Sequence, residues 1–484
     1  MSRNRLEGLA IRLAFYAALL AGCAINPVTK RNEISLVSPA QELEIGKQGY
    51  PAVIREFGLY DNAALQAYVN GVGQKVARVS DLPNLEWHFT VVDDPAVNAF
   101  AMPGGYIYVT RGILGYLNSE AQLAGVLGHE IGHVTHRHSA AQMTQQQLYG
   151  LGFGLASVLS PTFQQYGNVA QQALSLLFLK FSRTDETQAD ELGVSYSTRA
   201  GYDSREISAT YAMLKRMGDL NGARLPGFLS THPDPGDREN VTAALALQAT
   251  AGKSGLVINR TVYLQQLDDL VFGPDPRQGY FEGAHYFNPA LAFQLSFPPG
   301  WTHQDTHASV AAAEPNQGGV MQLSLSGQAG SLSPSAYVSK LTSAGTITNA
   351  AGGSESIGGL AAWVGHVDVT QQGQAPTRLA AGFIRMGSTM FDGLGQSAHP
   401  GDAVEAMIFT SLRSFRSLSD PARINVSPDH LRVQKAGTTG AFAGVIRPLG
   451  AVAADLETNA LLNGVQSTDN VSAGTLLKVV ARAR

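Results

Sequence analysis

The chain has 484 residues, enough for two to four domains, with a formal net charge of −4 and 15% charged residues. No basic patch or stacking motif marks a nucleic-acid surface, so nucleic acid is excluded as a partner. Cys23 is the only cysteine, which rules out an intramolecular disulfide and a zinc–thiolate site.

Arg3, Arg5 and Arg12 precede an apolar stretch from Leu13 to Ala21. This is the design of a signal peptide and is too short for a bilayer span. The stretch ends in Leu20-Ala21-Gly22-Cys23, which resembles a bacterial lipobox. Cleavage before Cys23 would leave its thiol to carry lipid. By resemblance to lipoproteins of diderm bacteria, Ala24 at the next position favours the outer membrane, with the protein facing the periplasm. Residues 1–22 are therefore expected to be a signal peptide and 23–35 a tether. Helices are expected over 38–58 and 61–79 and a strand over 86–93.

His129, Glu130 and His133 then form a His-Glu-x-x-His run. Leu123, Val126, Leu127 and Glu130 recur at helical spacing without a proline, and Asn118 or Ser119 can cap the helix start. Positions four apart share a helix face, so both imidazoles can reach one metal ion. Glu130 leans toward the same cavity, where it can take a proton from water. Gly128 and Gly132 each weaken a helix by roughly 1 kcal/mol relative to alanine, a cost that points to close packing or to room for a substrate. With the productive face already used, His136 and His138 are expected to be solvated or to stand behind the ligands.

A zinc site that cuts peptides needs a third protein ligand and an open position. The candidates lie in Asp185, Glu186, Asp190 and Glu191. On a helix Glu186 and Asp190 share a face: one could complete the ligand set while the other fixes the tautomer of a ligand histidine. Spacing alone does not choose among the four carboxylates. His-Glu-x-x-His followed by Ser182, Arg183, Glu186, Ala189 and Asp190 resembles metallopeptidase family forty-eight, which includes the CAAX prenyl proteases, HtpX-type membrane proteases and BepA-like periplasmic proteases. The resemblance covers roughly residues 27–280 and selects Glu186 as the third ligand. It also implies that Asn98 and Ala99, ahead of Gly104-Gly105 and Tyr106 to Thr110, belong to an edge strand that binds substrate backbone. Ser230-Thr231-His232-Pro233, with Arg238 after it, resembles the family's late histidine segment. It places His232 near the zinc, as a ligand or as a stabiliser of the transition state.

Beyond the metal helix, Leu148 to Leu159 and Ala173 to Phe181 are apolar but shorter than a transmembrane helix. Helices are expected again over 203–220 and 236–249. Residues 283–417 read as a separate α/β unit that weakly resembles PsbP/Mog1-like domains. Its strands are expected at 291–297, 308–313, 319–325, 360–368 and 378–385, and its helices at 333–344 and 401–414. His303, His307, His366 and His399 there have no ligand spacing. The last stretch, 423–481, has the order strand, helix, helix, strand and resembles a LysM-like module that grips N-acetylglucosamine polymers, with Gly437-Thr438-Thr439 where Gly-Asp-Thr is usual.

The expected architecture is thus α+β and multidomain. A mainly helical zincin-type (gluzincin-like) protease domain with a small sheet spans 36–280, followed by the α/β domain and the βααβ module. The expected function is a zinc endopeptidase acting on protein or peptide substrates in envelope quality control. One Zn2+ is held per chain by His129, His133 and Glu186, with Glu130 and His232 catalytic and Asp190 behind the ligands. Cys23 would hold the protein to the membrane and 423–481 would contact peptidoglycan. The other classes left open are a chaperone or assembly factor whose zinc site is usually closed, and a cell-wall-binding scaffold with little proteolysis.

Overall fold

Ser38 opens the first helix, Pro39–Phe57, with a reciprocal cap: its hydroxyl accepts from Gln41 N, and the Gln41 side chain accepts from Ser38 N. The computed structural model describes residues 23–151, 180–221, 232, 235–316, 318–326, 329–369, 376–451 and 454–482. Residues 1–22, where a signal peptide is expected, most of the apolar stretch between 148 and 181, and Ser230, Thr231 and Pro233 lie outside them. Among the described residues no helix is long and apolar enough to cross a membrane.

The chain divides into two compact units. The first comprises Met1–Ile54, Gly58–Gly273 and Asp429–Arg484, the second Pro274–Pro428 together with Arg55–Phe57. The first unit is mainly helical. Its small sheet has the strand order His88–Val92, Tyr106–Thr110, Ala99–Met102, the first pair parallel and the second antiparallel. Ala99–Met102 therefore lies at the edge of this sheet. The core gathers Leu65, Val69 and Val76 from the helix Ala63–Ala77, Val91, Ile107 and Val109 from the sheet, and Leu123, Leu127 and Ile131 from the metal helix.

Two segments expected to stand apart belong to this unit. Residues 23–35 form a hairpin rather than a tether. Cys23–Ile25 pairs antiparallel with Asn32–Ile34, and Asn26 Nδ2 donates to the His136 carbonyl at 3.2 Å. The 423–481 stretch does show strand, helix, helix, strand, at Asp429–Lys435, Phe442–Ile446, Leu456–Asn463 and Leu476–Ala481. It has a small core of its own around Phe442, Val445 and Leu477. Yet Leu431, Leu461, Leu462 and Val480 pack into the core of the first unit, and His430 and Asp429 pair with Val271 and Phe272. Lys478 is fully buried, and its Nζ donates to the carbonyls of Gly115 at 2.7 Å and Leu117 at 2.6 Å. These are end-of-helix acceptors, which the Lys478 amine satisfies although its burial pushes the ammonium pKa well down.

The second unit differs from the expected α/β layout, because its strands all pair antiparallel. A seven-stranded sheet runs in the order 302–305, 309–313, 319–325, 389–397, 377–386, 360–369, 348–357, with a four-stranded sheet beside it in the same unit. Its helices are Pro334–Ser343 and Ala403–Arg413. Among the described residues no helix crosses over between neighbouring strands, which makes the unit α+β. The strands over 348–357 and 389–397 were not anticipated. In the second, Gly393 and Gly395 stand where apolar side chains would mark a strand, because Leu412 and Ile408 of the helix Ala403–Arg413 occupy that space, within 2.4 Å of where a Cβ would lie.

Candidate metal centre

The metal helix, Glu120–Thr135, is buried along its whole length. Ser119 caps it, its Oγ accepting from Gln122 N at 3.2 Å. The Glu120 carboxylate in its first turn is held by the Tyr202 hydroxyl at 2.7 Å and the Tyr68 hydroxyl at 2.9 Å. Of the two expectations for Gly128 and Gly132, close packing or room for a substrate, the contacts show close packing. A Cβ on Gly128 would sit 3.0 Å from Gly193 O, and one on Gly132 would sit 3.2 Å from the Ala189 backbone. Both contacts lie on the helix Arg183–Arg199, so backbone meets backbone, and the carboxylates of that helix are brought against the histidines.

That helix also sorts the four acidic candidates. Ser182 is its N-cap, and Asp185 Oδ2 accepts from Ser182 N at 3.0 Å, so Asp185 closes the capping box. Glu191 is exposed. Glu186 and Asp190 are buried and converge on the histidines.

Four side chains meet there: a ligating atom from each of His129, His133, Glu186 and His232 lies within 4.8 Å of the others. His129 Nε2 and His133 Nε2 are 3.0 Å apart. His129 Nε2 is 3.6 Å from Glu186 Oε2, and His133 Nε2 is 3.6 Å from Glu186 Oε1. His232 Nδ1 is 3.4 Å from His129 Nε2 and 2.8 Å from Glu186 Oε1. Behind His129, Asp190 Oδ1 lies 3.0 Å from Nδ1. Arg238 then grips Asp190 through Nε at 2.8 Å and Nη2 at 2.7 Å, and reaches Glu186 Oε2 through Nη1 at 2.6 Å. Tyr211 donates to Asp190 Oδ1 at 2.5 Å.

The electrostatics follow from these contacts. Burial pushes the Glu130 carboxyl up, with His232 and His129 opposing. Burial would also raise Glu186, but His232, His129 and Arg238 outweigh it and hold Glu186 below the usual carboxylate range. Asp190 is held well below that range, because the hydrogen bonds and charge of Arg238 outweigh its burial.

Asn98 precedes the edge strand. Its carbonyl accepts from Thr110 N at 3.1 Å, while its side-chain oxygen is buried without a hydrogen-bond partner. Ala99 is buried in the strand. His136 and His138 are buried rather than solvated, at 9% and 4% exposure, because the N-terminal hairpin and Gln188 cover them. Tyr211 and Phe181, whose ring stacks on His133 at 4.0 Å, carried no signal in the sequence. Tyr211 comes from a helix that carries no ligand, and Phe181 stands just ahead of the Ser182 cap of the carboxylate helix.

The donor set tests well against a divalent metal. It offers three imidazoles and a carboxylate, the ligand chemistry of borderline cations such as zinc. Both Glu130 oxygens are buried without a hydrogen-bond partner, and such atoms are costly unless something completes the site.

The model of Peptidase family M48 matches residues 63–244. The mitochondrial metalloendopeptidase OMA1 of Arabidopsis thaliana is 36% identical over 186 residues, 38% of this chain and 36% of the relative. The protein of the same name from Schizosaccharomyces pombe is 31% identical over 232 residues, 45% of this chain and 67% of the relative. The β-barrel assembly-enhancing protease of Escherichia coli is 28% identical over 213 residues, 42% of this chain and 43% of the relative. The chain thus spans less than half the length of the Arabidopsis and Escherichia coli relatives. The matched region contains the metal helix, the carboxylate helix and His232, and on this ground the chain belongs to peptidase family M48.

Proposed function

We propose that the protein is a zinc metalloendopeptidase. The observation that carries this reading is the convergence of His129, His133 and Glu186 beside a buried Glu130 whose two oxygens have no hydrogen-bond partner. Zinc held by His129, His133 and Glu186 would supply Lewis acidity and lower the pKa of water to about 7. Glu130 accepts the proton from the attacking water and delivers it to the leaving amine as the C–N bond breaks. His232 donates to the oxyanion that develops on the scissile carbonyl. The edge of Ala99–Met102, which pairs with no further strand among the described residues, holds the substrate as an added strand with Asn98 at its start, a mode that reads peptide backbone more than side chains.

Elemental analysis and cleavage of an unfolded casein substrate test this together. One zinc per chain is expected, with cleavage abolished by a chelator and restored by zinc. Cleavage indifferent to chelation would sink the reading.

A second reading is that His232 closes the resting site as a fourth ligand. It is favoured by the position of His232 Nδ1, which lies inside the same cluster as the other three ligand atoms.

The setting we propose is the periplasmic face of the outer membrane, with envelope proteins as substrates. The lipobox-like Leu20-Ala21-Gly22-Cys23 and the name of the Escherichia coli relative, which ties that protein to β-barrel assembly, support it. Cys23→Ala is expected to move the protein from the membrane to the soluble fraction, since multiple acyl chains anchor firmly. Undiminished membrane association on fractionation would reject the lipid anchor.

A further inference from the structure

His129 and His133 turn their Nε2 atoms toward the cluster and their Nδ1 atoms away from it. An imidazole that gives one nitrogen to a cation keeps its proton on the other, and a buried proton needs an acceptor. For His129 that acceptor is the Asp190 carboxylate. For His133 the atom met by Nδ1 is the Nδ1 of His138, at 2.9 Å. His138 in turn points its Nε2 at Gln188 Oε1, 3.0 Å away.

Two facing nitrogens hold one proton between them. If His133 keeps it, His138 Nδ1 is bare and its own proton sits on Nε2, directed at the Gln188 carbonyl oxygen. The carboxylate oxygen Asp185 Oδ1, 3.7 Å from the same Nε2, favours the proton there as well. The opposite arrangement would turn the Gln188 amide around and carry the protons inward. His133 would then hold its proton on Nε2, which closes that nitrogen to a cation. Only the outward direction, His133 to His138 to Gln188, leaves His133 a ligand.

We infer that His138, oriented by Gln188, is a positioning residue for His133: it accepts the Nδ1 proton and so fixes the tautomer and rotation that aim Nε2 into the metal centre. This inference rests on the metal reading proposed above. Phe181 stacked on the His133 ring restrains its tilt, which leaves the in-plane bond to His138 to set its rotation. One helix thereby serves both histidines. Arg183–Arg199 holds His129 directly through Asp190 and His133 indirectly through Gln188. An imidazole is a weaker acceptor than a carboxylate, so the two ligands differ in basicity.

The test is zinc affinity of the full chain, measured by competition with a chromophoric chelator, with melting of the metal-free forms as a check on folding. His138→Phe keeps the ring but removes the acceptor, and is expected to weaken zinc binding on the order of 10–100-fold. His138→Asn places an amide oxygen close to where Nδ1 was, and is expected to stay within a few-fold of wild type. Gln188→Leu, at a half-buried position, should give a smaller loss in the same direction. Cobalt loaded into His138→Asn should keep the wild-type visible spectrum, because His138 is not itself a ligand. Wild-type affinity in His138→Phe, equal loss in the Phe and Asn variants of that position, or an altered cobalt spectrum would each overturn the inference. A wild-type chain that binds no zinc would instead overturn the metal reading, and with it this one, before any variant is compared.

Discussion

Glu130→Gln is expected to bind one zinc per chain and to lose peptide hydrolysis by roughly 10²–10⁴-fold, the usual contribution of a positioned general base. The amide matches the carboxylate in shape and cannot take a proton. Glu130 is fully buried and is not among the four side chains whose ligating atoms converge, so the metal should stay. Burial pushes the carboxyl up, which means that the folded protein carries the charged form at a cost. The neutral amide removes that cost, so the variant should melt no lower than wild type. Metal content, melting and cleavage are measured on one preparation. Wild-type cleavage by this variant would refute the assignment of Glu130 as the base.

His232→Ala is expected to lower single-turnover cleavage about a hundredfold, the loss seen when one oxyanion donor is removed. The imidazole lies between two carboxylates, with Nδ1 at 2.8 Å from Glu186 Oε1 and Nε2 at 3.8 Å from Glu130 Oε1. This places a donor next to the base and next to a ligand, where an oxyanion would form. If His232 is instead a fourth ligand that closes the resting site, the same change opens a position for water, and basal cleavage should rise. A rate equal to wild type would remove His232 from the reaction altogether.

The parts of the site that were legible in the sequence are those encoded locally. His129 and His133 share a face because a helix repeats every 3.6 residues, and Gly128 and Gly132 announce that something comes close to that face. The carboxylates were visible as a group, but their roles were not separable by spacing. What separates them is helix geometry: Asp185 is consumed by the cap at Ser182, and Glu191 points outward. The shell behind the ligands was mostly illegible. Tyr211 meets Asp190 across a distance in the chain that no periodicity reports, and spacing left His138 either solvated or behind the ligands without saying which. In the second unit, 389–397 lacks strand alternation because Gly393 and Gly395 accommodate Leu412 and Ile408. The docking of 429–481 was hidden for a similar reason. Lys478 reads as a solvated strand residue, and only the fold reveals the helix end it serves.

The pairing of Asp429 and His430 with Phe272 and Val271, and the seat of Lys478 under Gly115 and Leu117, bear on the order of events as the chain is made. A chain delivered from its N-terminus presents Pro274–Pro428 in one uninterrupted stretch, and domains generally fold as units in the order they emerge. The peptidase unit cannot follow that order. Its core stays open at Leu431, Leu461, Leu462 and Val480 until the last strand arrives. Closing it requires contacts across more than three hundred residues, from Gly115 to Lys478, a slow step for any chain. The unit that bears the histidines is therefore completed only after Pro274–Pro428 has emerged, so the hydrolysis proposed for it is delayed until synthesis has passed residue 478.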